Sequence, residues 1–258
     1  MINFLSIIAI GFFLGMRHAT DPDHVVAVTT IVSRQKKISR AALTGMFWGI
    51  GHTLTILAVG AAIILFGLVI PARIGLSMEF SVGLMLVALG WMNVAAFMRS
   101  TRSASELAKS AAADTAEESP SRPHIHAPGS HTHTTLFRMD ALFGHTELYR
   151  ALRPLLVGIV HGLAGSAAVA LLVLTTIRDP RWAVAYLLVF GIGTVAGMML
   201  ITMSIASAFT FFGRRYTNFG ARLALASGLL SLAFGLFVVY QIGFAGGLFS
   251  GHPQWTPR

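Results

Sequence analysis

Arg17, His18, Asp21, Asp23 and His24 put five ionisable side chains into eight consecutive positions, inside an otherwise apolar run. Residues 2–16 (INFLSIIAIGFFLGM) precede them, and Val25, Val26, Ala27 and Val28 follow. A charged side chain at the bilayer centre costs about 2.5–3.5 kcal/mol, so such groups face a protein interior or an ion pathway. Arg17 and Asp21 stand four apart, where they neutralise each other on a continuous helix. That leaves His18, Asp23 and His24 for other work. Pro22 has no N–H, which deprives the His18 carbonyl of its helical partner, and it biases Asp21 away from helical geometry. Imidazole, carboxylate and a freed carbonyl make a nitrogen/oxygen donor set suited to a divalent transition metal. Polar groups also tie membrane helices together, but five ionisable groups are more than tying requires. Asp21 is read first as the partner of Arg17 and second as a metal ligand; Arg17 alternatively repels cations from the wrong route.

This stretch resembles a known family. His18-x4-Asp23-His24, preceded by Arg17 and followed by an apolar helix, is similar to the H-x4-D-H signature of nickel/cobalt transporters. The fuller form R-H-A-x-D-A-D-H fits Arg17 to His24 except that Pro22 replaces an Ala. Phe47-Trp48-Gly49-Ile50-Gly51-His52 resembles the family's second motif, an aromatic-led G-H in the next helix. The resemblance is strong over residues 10–65. The family's later L-G-F-D-T-A-T-E motif is replaced here by Leu156-Val157-Gly158-Ile159-Val160-His161-Gly162-Leu163-Ala164-Gly165-Ser166, and its usual first span is missing. The chain is thus similar to the shorter branch near urease-accessory membrane proteins. The resemblance implies handling of nickel or cobalt and adds His52 to the candidate ligands.

The elements that must position these residues are membrane helices. Hydrophobic residues make up 55% and charged residues 11% of the 258 positions, and mean hydropathy is +0.71. This composition places the chain among integral membrane proteins. Nucleic acid is not the reason for the +9 formal charge, because the basic residues cluster at span ends, where topology demands them. Cysteine is absent, which excludes disulfides and thiolate sites. Residues 1–16 lack the basic start and small-residue cleavage site of a signal peptide. Six stretches meet the length of about 20 apolar residues that a span needs: 2–33, 40–70, 78–98, 154–177, 182–211 and 220–247. The first is read as one long helix, tilted or kinked at Pro22, with a pair of very short spans as the alternative.

Arg34, Lys36, Lys37 and Arg40, then Arg99 to Arg153, then Arg214, Arg215 and Arg222 lie between alternate spans on one side. The positive-inside rule makes that side cytoplasmic and both termini external, in a multi-pass inner-membrane protein. An internal repeat is visible. Gly49-Ile50-Gly51-His52-Thr53 pairs with Gly191-Ile192-Gly193-Thr194-Val195, Gly83 and Gly90 pair with Gly228 and Gly235, and His18 roughly matches His161. Three spans per half imply an inverted repeat, as in many transporters with midplane sites. Glycine also serves close helix approach without further function. The organisation expected is therefore all-α, with a first membrane half over 1–98, a cytoplasmic loop over 99–153 and a second half over 154–258. The loop, rich in Ser, Ala, Pro and charge, carries His124, His126, His131 and His133; it is read as disordered. It is either a metal buffer or a solvated linker.

At about 1.5 Å per residue, His24 lies roughly 14 Å from the cytoplasmic helix end, His18 about 22 Å, His52 about 16 Å and His161 about 12 Å. Three spans therefore bring imidazoles to similar depth in a core about 30 Å thick. His161, with no motif of its own, is equally well a buried structural histidine. Thr53, Thr55, Asn93 and Ser166 read as helix-packing groups, the methionines as gap fillers, Phe47 and Trp48 as packing or closure groups, and Trp182 and Trp255 as an interfacial belt.

The reading that follows is a permease for nickel or cobalt, in which His18, Asp23, His24 and His52 hold the dehydrated ion, with Asp21 and His161 as further candidates. The ion is cargo; no cofactor is expected, and the partners are the metal ion and the lipid bilayer. No G-x4-G-K-[ST] loop is present, so no ATP hydrolysis is expected within the chain. An accessory protein that passes nickel to a urease or hydrogenase without transporting it is the alternative. An intramembrane metalloenzyme is a weaker one, since H-E-x-x-H with its glutamate base is missing.

Overall fold

The computed structural model describes residues 4–33, 35, 37–116, 147–177, 179–215, 219–250 and 252–255. Among these residues the chain is entirely helical: α1 (Phe4–His18), α2 (Pro22–Val32), α3 (Ile38–Phe66), α4 (Ala72–Ala116), α5 (Glu147–Thr176), α6 (Pro180–Arg215) and α7 (Phe219–Tyr240). α7 runs into a π-helical turn, Gln241–Ala245. The segments Ile38–Phe66, Ala72–Ser103, Pro180–Gly213 and Gly220–Ala245 are long and apolar enough to cross a membrane, while Ile8–His18, Pro22–Val32 and Leu152–Ala164 are apolar but shorter. The pattern of exposure is that of a protein solvated by lipid. Phe13, Trp91, Ile192 and Phe237 point outward, whereas His24, His52, His161, Asn93 and Thr194 are buried. The chain is a multi-pass membrane protein.

Three boundaries differ from the sequence reading. Residues 2–33 do not form one kinked helix: α1 stops at His18 and α2 starts at Pro22. Asp21 adopts an extended conformation (φ −60°, ψ 145°) and Pro22 takes the first helical position, where a missing N–H is harmless. Residues 99–116, assigned to the loop, continue α4, since Ser, Ala, Lys and Glu without Gly or Pro propagate a helix. α5 likewise begins at Glu147 and carries Pro154 inside it. The four loop histidines lie outside the described residues.

Lipid tails are as apolar as Leu, so membrane helices associate through close packing rather than hydrophobic driving force. α3 runs along both α5 and α6, α1 along α6, and α4 along α7, while α2 touches α4, α6 and α7. Glycine permits the closest of these approaches. A Cβ on Gly51 of α3 would lie 2.2 Å from the Leu155 carbonyl oxygen of α5, and one on Gly158 would lie 2.1 Å from the Trp48 carbonyl oxygen. Only backbone fits there. The contacts at the α1–α6 seam mirror these: Gly193 meets the Phe12 carbonyl and Gly15 meets the Phe190 carbonyl. In the α3–α6 seam Gly49 faces Val195 and Gly191 faces Thr53; between α4 and α7, Gly90 faces Leu232 and Gly235 faces Val87.

Hydroxyls and one amide cross-link the same seams. Thr55 Oγ1 donates to the Ile159 carbonyl at 3.1 Å, Thr53 Oγ1 to Gly191 at 3.1 Å, Ser231 Oγ to Leu86 at 2.9 Å, and Asn93 Nδ2 to Thr30 at 2.8 Å. Thr53, Thr55 and Asn93 thus act as packing groups. Around them, Val28, Trp48, Leu86 and Met198 centre one apolar cluster, and Ile56, Val173, Leu187 and Phe190 a second. Trp182 is exposed at the start of α6, whereas Trp255 Nε1 donates to Glu79 at 2.8 Å.

Candidate metal site

The break between α1 and α2 builds the site. Asp21 N–H donates to the His18 carbonyl at 3.1 Å and Thr20 N–H to the Arg17 carbonyl at 2.8 Å, so a tight turn closes α1. The His18 carbonyl is therefore not free for a metal, contrary to the expectation drawn from Pro22. Nor does Asp21 pair with Arg17, because the turn removes the helical spacing that would join them. Its Oδ2 lies 2.7 Å from His18 Nδ1 instead. Irregular backbone at membrane depth is tolerated where protein buries it or where it lines a cavity, and here it presents two histidines.

Four imidazoles meet at this break. His18 Nε2 lies 3.1 Å from His52 Nε2. His24 stands edge-on to its neighbours, with ring centroids 4.8 Å from His18, 4.9 Å from His52 and 4.2 Å from His161. Asp23 bridges two of the rings. Its Oδ1 is 3.0 Å from His24 Nδ1 and its Oδ2 is 3.2 Å from His161 Nε2. The similar depths read from the sequence are thus realised as contact, and His161 joins the cluster. All six candidate residues, His18, Asp21, Asp23, His24, His52 and His161, fall within it.

Packing fixes the rings from outside. The backbone contact of Gly51 with Leu155 and of Gly158 with Trp48 brings α3 and α5 together, which places His52 against His161. Trp48 lies nearly parallel to His24 at 6.2 Å and edge-on to His161 at 5.6 Å. Phe190 closes the far side, 5.5 Å from His18. His24, His52 and His161 are buried, whereas the Asp21 and Asp23 side chains are 47% and 35% exposed. The carboxylates therefore mark the mouth of the cluster and the imidazoles its floor.

Several buried nitrogens have no protein partner: His24 Nε2, His52 Nδ1, His161 Nδ1 and Trp48 Nε1. Burying such a group unsatisfied costs about 1–3 kcal/mol; of these atoms the imidazole nitrogens can carry a lone pair for a cation, whereas the indole N–H can only donate. Two groups of donors lie close enough together to hold one ion each, His18–His24–His52 and Asp23–His24–His161; in each, one atom per residue falls within 4.8 Å of the others. In the first, with His18 and His24 ligating through Nε2, a carboxylate stands on the ring nitrogen behind each of these two histidines. Asp21 does this for His18 and Asp23 for His24, the arrangement that fixes tautomer and raises ligand basicity.

Helices of this kind around an intramembrane imidazole–carboxylate cluster define a metal-handling membrane protein. The chain belongs to the NicO family, described as high-affinity nickel-transport protein, which it matches over residues 4–240. It is also similar to the urease accessory protein UreH of Bacillus sp. (strain TB-90), with 37% identity over 249 residues covering 96% of each chain. No solved structure matches it.

The sequence reading missed two contributions. Asp21 positions His18 rather than pairing with Arg17, and Phe190 walls the site. The second had a signal: Phe190-Gly191-Ile192-Gly193 repeats Trp48-Gly49-Ile50-Gly51, so an aromatic precedes the glycine pair in both halves. The side chain of Ser166 lies outside the described residues.

Proposed function

We propose that the protein is a six-span permease of the inner membrane that carries nickel or cobalt divalent ions through the His/Asp cluster near mid-membrane. The observation that carries this reading is the meeting of His18, His24 and His52 nitrogens at a helix break. Two nitrogens 3.1 Å apart that bind one cation at about 2.1 Å subtend about 95°. That angle is nearer square or octahedral than tetrahedral, and tetragonal nitrogen/oxygen sites suit Ni(II). Copper binds such donors more tightly in general, so geometry and supply carry the selectivity.

In this account α1 and α2 together make one broken crossing, and α3, α4, α5, α6 and α7 make five more. The reciprocal glycine contacts support two inverted halves, 1–98 and 154–258, joined by the 99–153 segment. His18 and His161 then occupy equivalent places, as do His52 and Thr194, and as do Trp48 and Phe190. The arginine and lysine distribution supports a cytoplasmic 99–153 segment and external termini.

The test is nickel and cobalt flux into liposomes containing the purified protein. A permease gives flux that His18→Ala or Asp23→Ala lowers by two orders of magnitude or more with insertion intact. An accessory protein that only passes metal on binds nickel and moves none, and that result would remove the transport reading.

A further inference from the structure

The geometry points to two stations used in turn: the ion sits either on His18–His24–His52 or on Asp23–His24–His161, and His24 makes the two mutually exclusive. This inference rests on the transport reading above and gives it a path.

His24 belongs to both donor groups. A neutral imidazole has one nitrogen carrying the proton and one carrying the lone pair. His24 Nδ1 faces Asp23 at 3.0 Å, while Nε2 is buried without a partner. With the proton on Nδ1, donated to Asp23, Nε2 is the ligand and serves the His18–His52 side. With the proton on Nε2, Nδ1 is the ligand and serves the side where Asp23 Oδ2 and His161 Nε2 stand 3.2 Å apart. One ring therefore cannot hold an ion at both stations at once. Moving the ion exchanges which nitrogen bears the proton, with no net gain or loss of protons by the protein.

The fold supplies the reason for two stations. His18 and His161 come from corresponding places in the two halves and flank the same ring, at 4.8 and 4.2 Å between centroids. His18, His24 and His52 all belong to the first half, so a displacement of one half against the other changes the approach of His161 alone, opening or closing the second station while the first keeps its donors.

The experiment combines equilibrium nickel binding to the purified full chain, the visible spectrum of its cobalt complex, and flux in liposomes. The wild type is expected to bind one ion per chain. His161→Ala and His52→Ala are each expected to retain one bound ion within about tenfold of wild-type affinity, with two different cobalt spectra. Both lose flux at least 100-fold, and the double variant loses binding as well. His161→Gln, which keeps a donor toward Asp23, replaces His161→Ala if the latter elutes as aggregate. Two ions bound per wild-type chain, or identical cobalt spectra for the single variants, would overturn the alternation. So would unimpaired flux in the His161 variant. A wild type that neither binds nor moves nickel would instead remove the transport reading, a result that no pattern among the variants can mimic.

Discussion

Asp21 and Asp23 stand behind imidazoles whose other nitrogens face inward, so their work is to hold tautomers as much as to touch metal. Replacing such outer partners costs roughly 10–100-fold in metal affinity. Asp21→Asn is therefore expected to weaken nickel binding by about that factor while leaving the fold intact, as calorimetric titration of the purified protein would read. Equal affinity in the variant would show that Asp21 is incidental to His18. Ligation also requires unprotonated imidazole, so protons compete with the ion. Apparent nickel affinity should therefore fall as pH drops, which binding titrations at a series of pH values would read; affinity independent of pH would argue against imidazole ligation. The residue types of the cluster were legible in the sequence because ionisable groups are rare in apolar runs. The partner of Asp21 was not: the i,i+4 argument assumes a continuous helix, and Pro22 ends that assumption at the residue in question.

The break between α1 and α2 gives each helix an end at the site. The carbonyl-bearing end of α1 favours a cation, and the N–H-bearing end of α2 disfavours one. Asp23, in the first turn of α2, offsets the latter. The glycines of the α3–α5 seam are the other device at this scale. Gly158→Val drives a side chain into the Trp48 backbone, and overpacking of this kind costs about 1–3 kcal/mol. It should lower the melting temperature and abolish flux together, because the same seam sets the distance between His52 and His161. Gly213→Ala is the control: a Cβ there meets nothing within 4 Å, and with the better helix propensity of Ala stability should not fall. Small residues at regular spacing were readable as close-packing positions. Which helix each one faced was not, since glycine records permission to approach and says nothing of the partner. The extension of α4 to Ala116 was missed because polarity was taken as a sign of loop, whereas Ser-Ala-Lys-Glu composition carries a helix out of the membrane equally well.

At the scale of the whole molecule, the distribution of basic residues supports the orientation proposed above. A reporter fused within residues 117–146 should read cytoplasmic and one fused after Arg258 external; both on one side would mean an even number of crossings between them, not three. The order of contact between helices was beyond the sequence, because periodicity gives a helix its buried face without naming what covers it. That order has a consequence for how the chain can be divided. In the proposed two-half organisation, the second crossing of each half leans on the first crossing of the other: α3 on α5, and α6 on α1. Neither half encloses its own glycine seams, so each is an incomplete body whose missing surface is carried by the other. Severing the chain between 117 and 146 should yield two polypeptides that are degraded when made singly and that complement one another when made together, restoring nickel flux from separate genes.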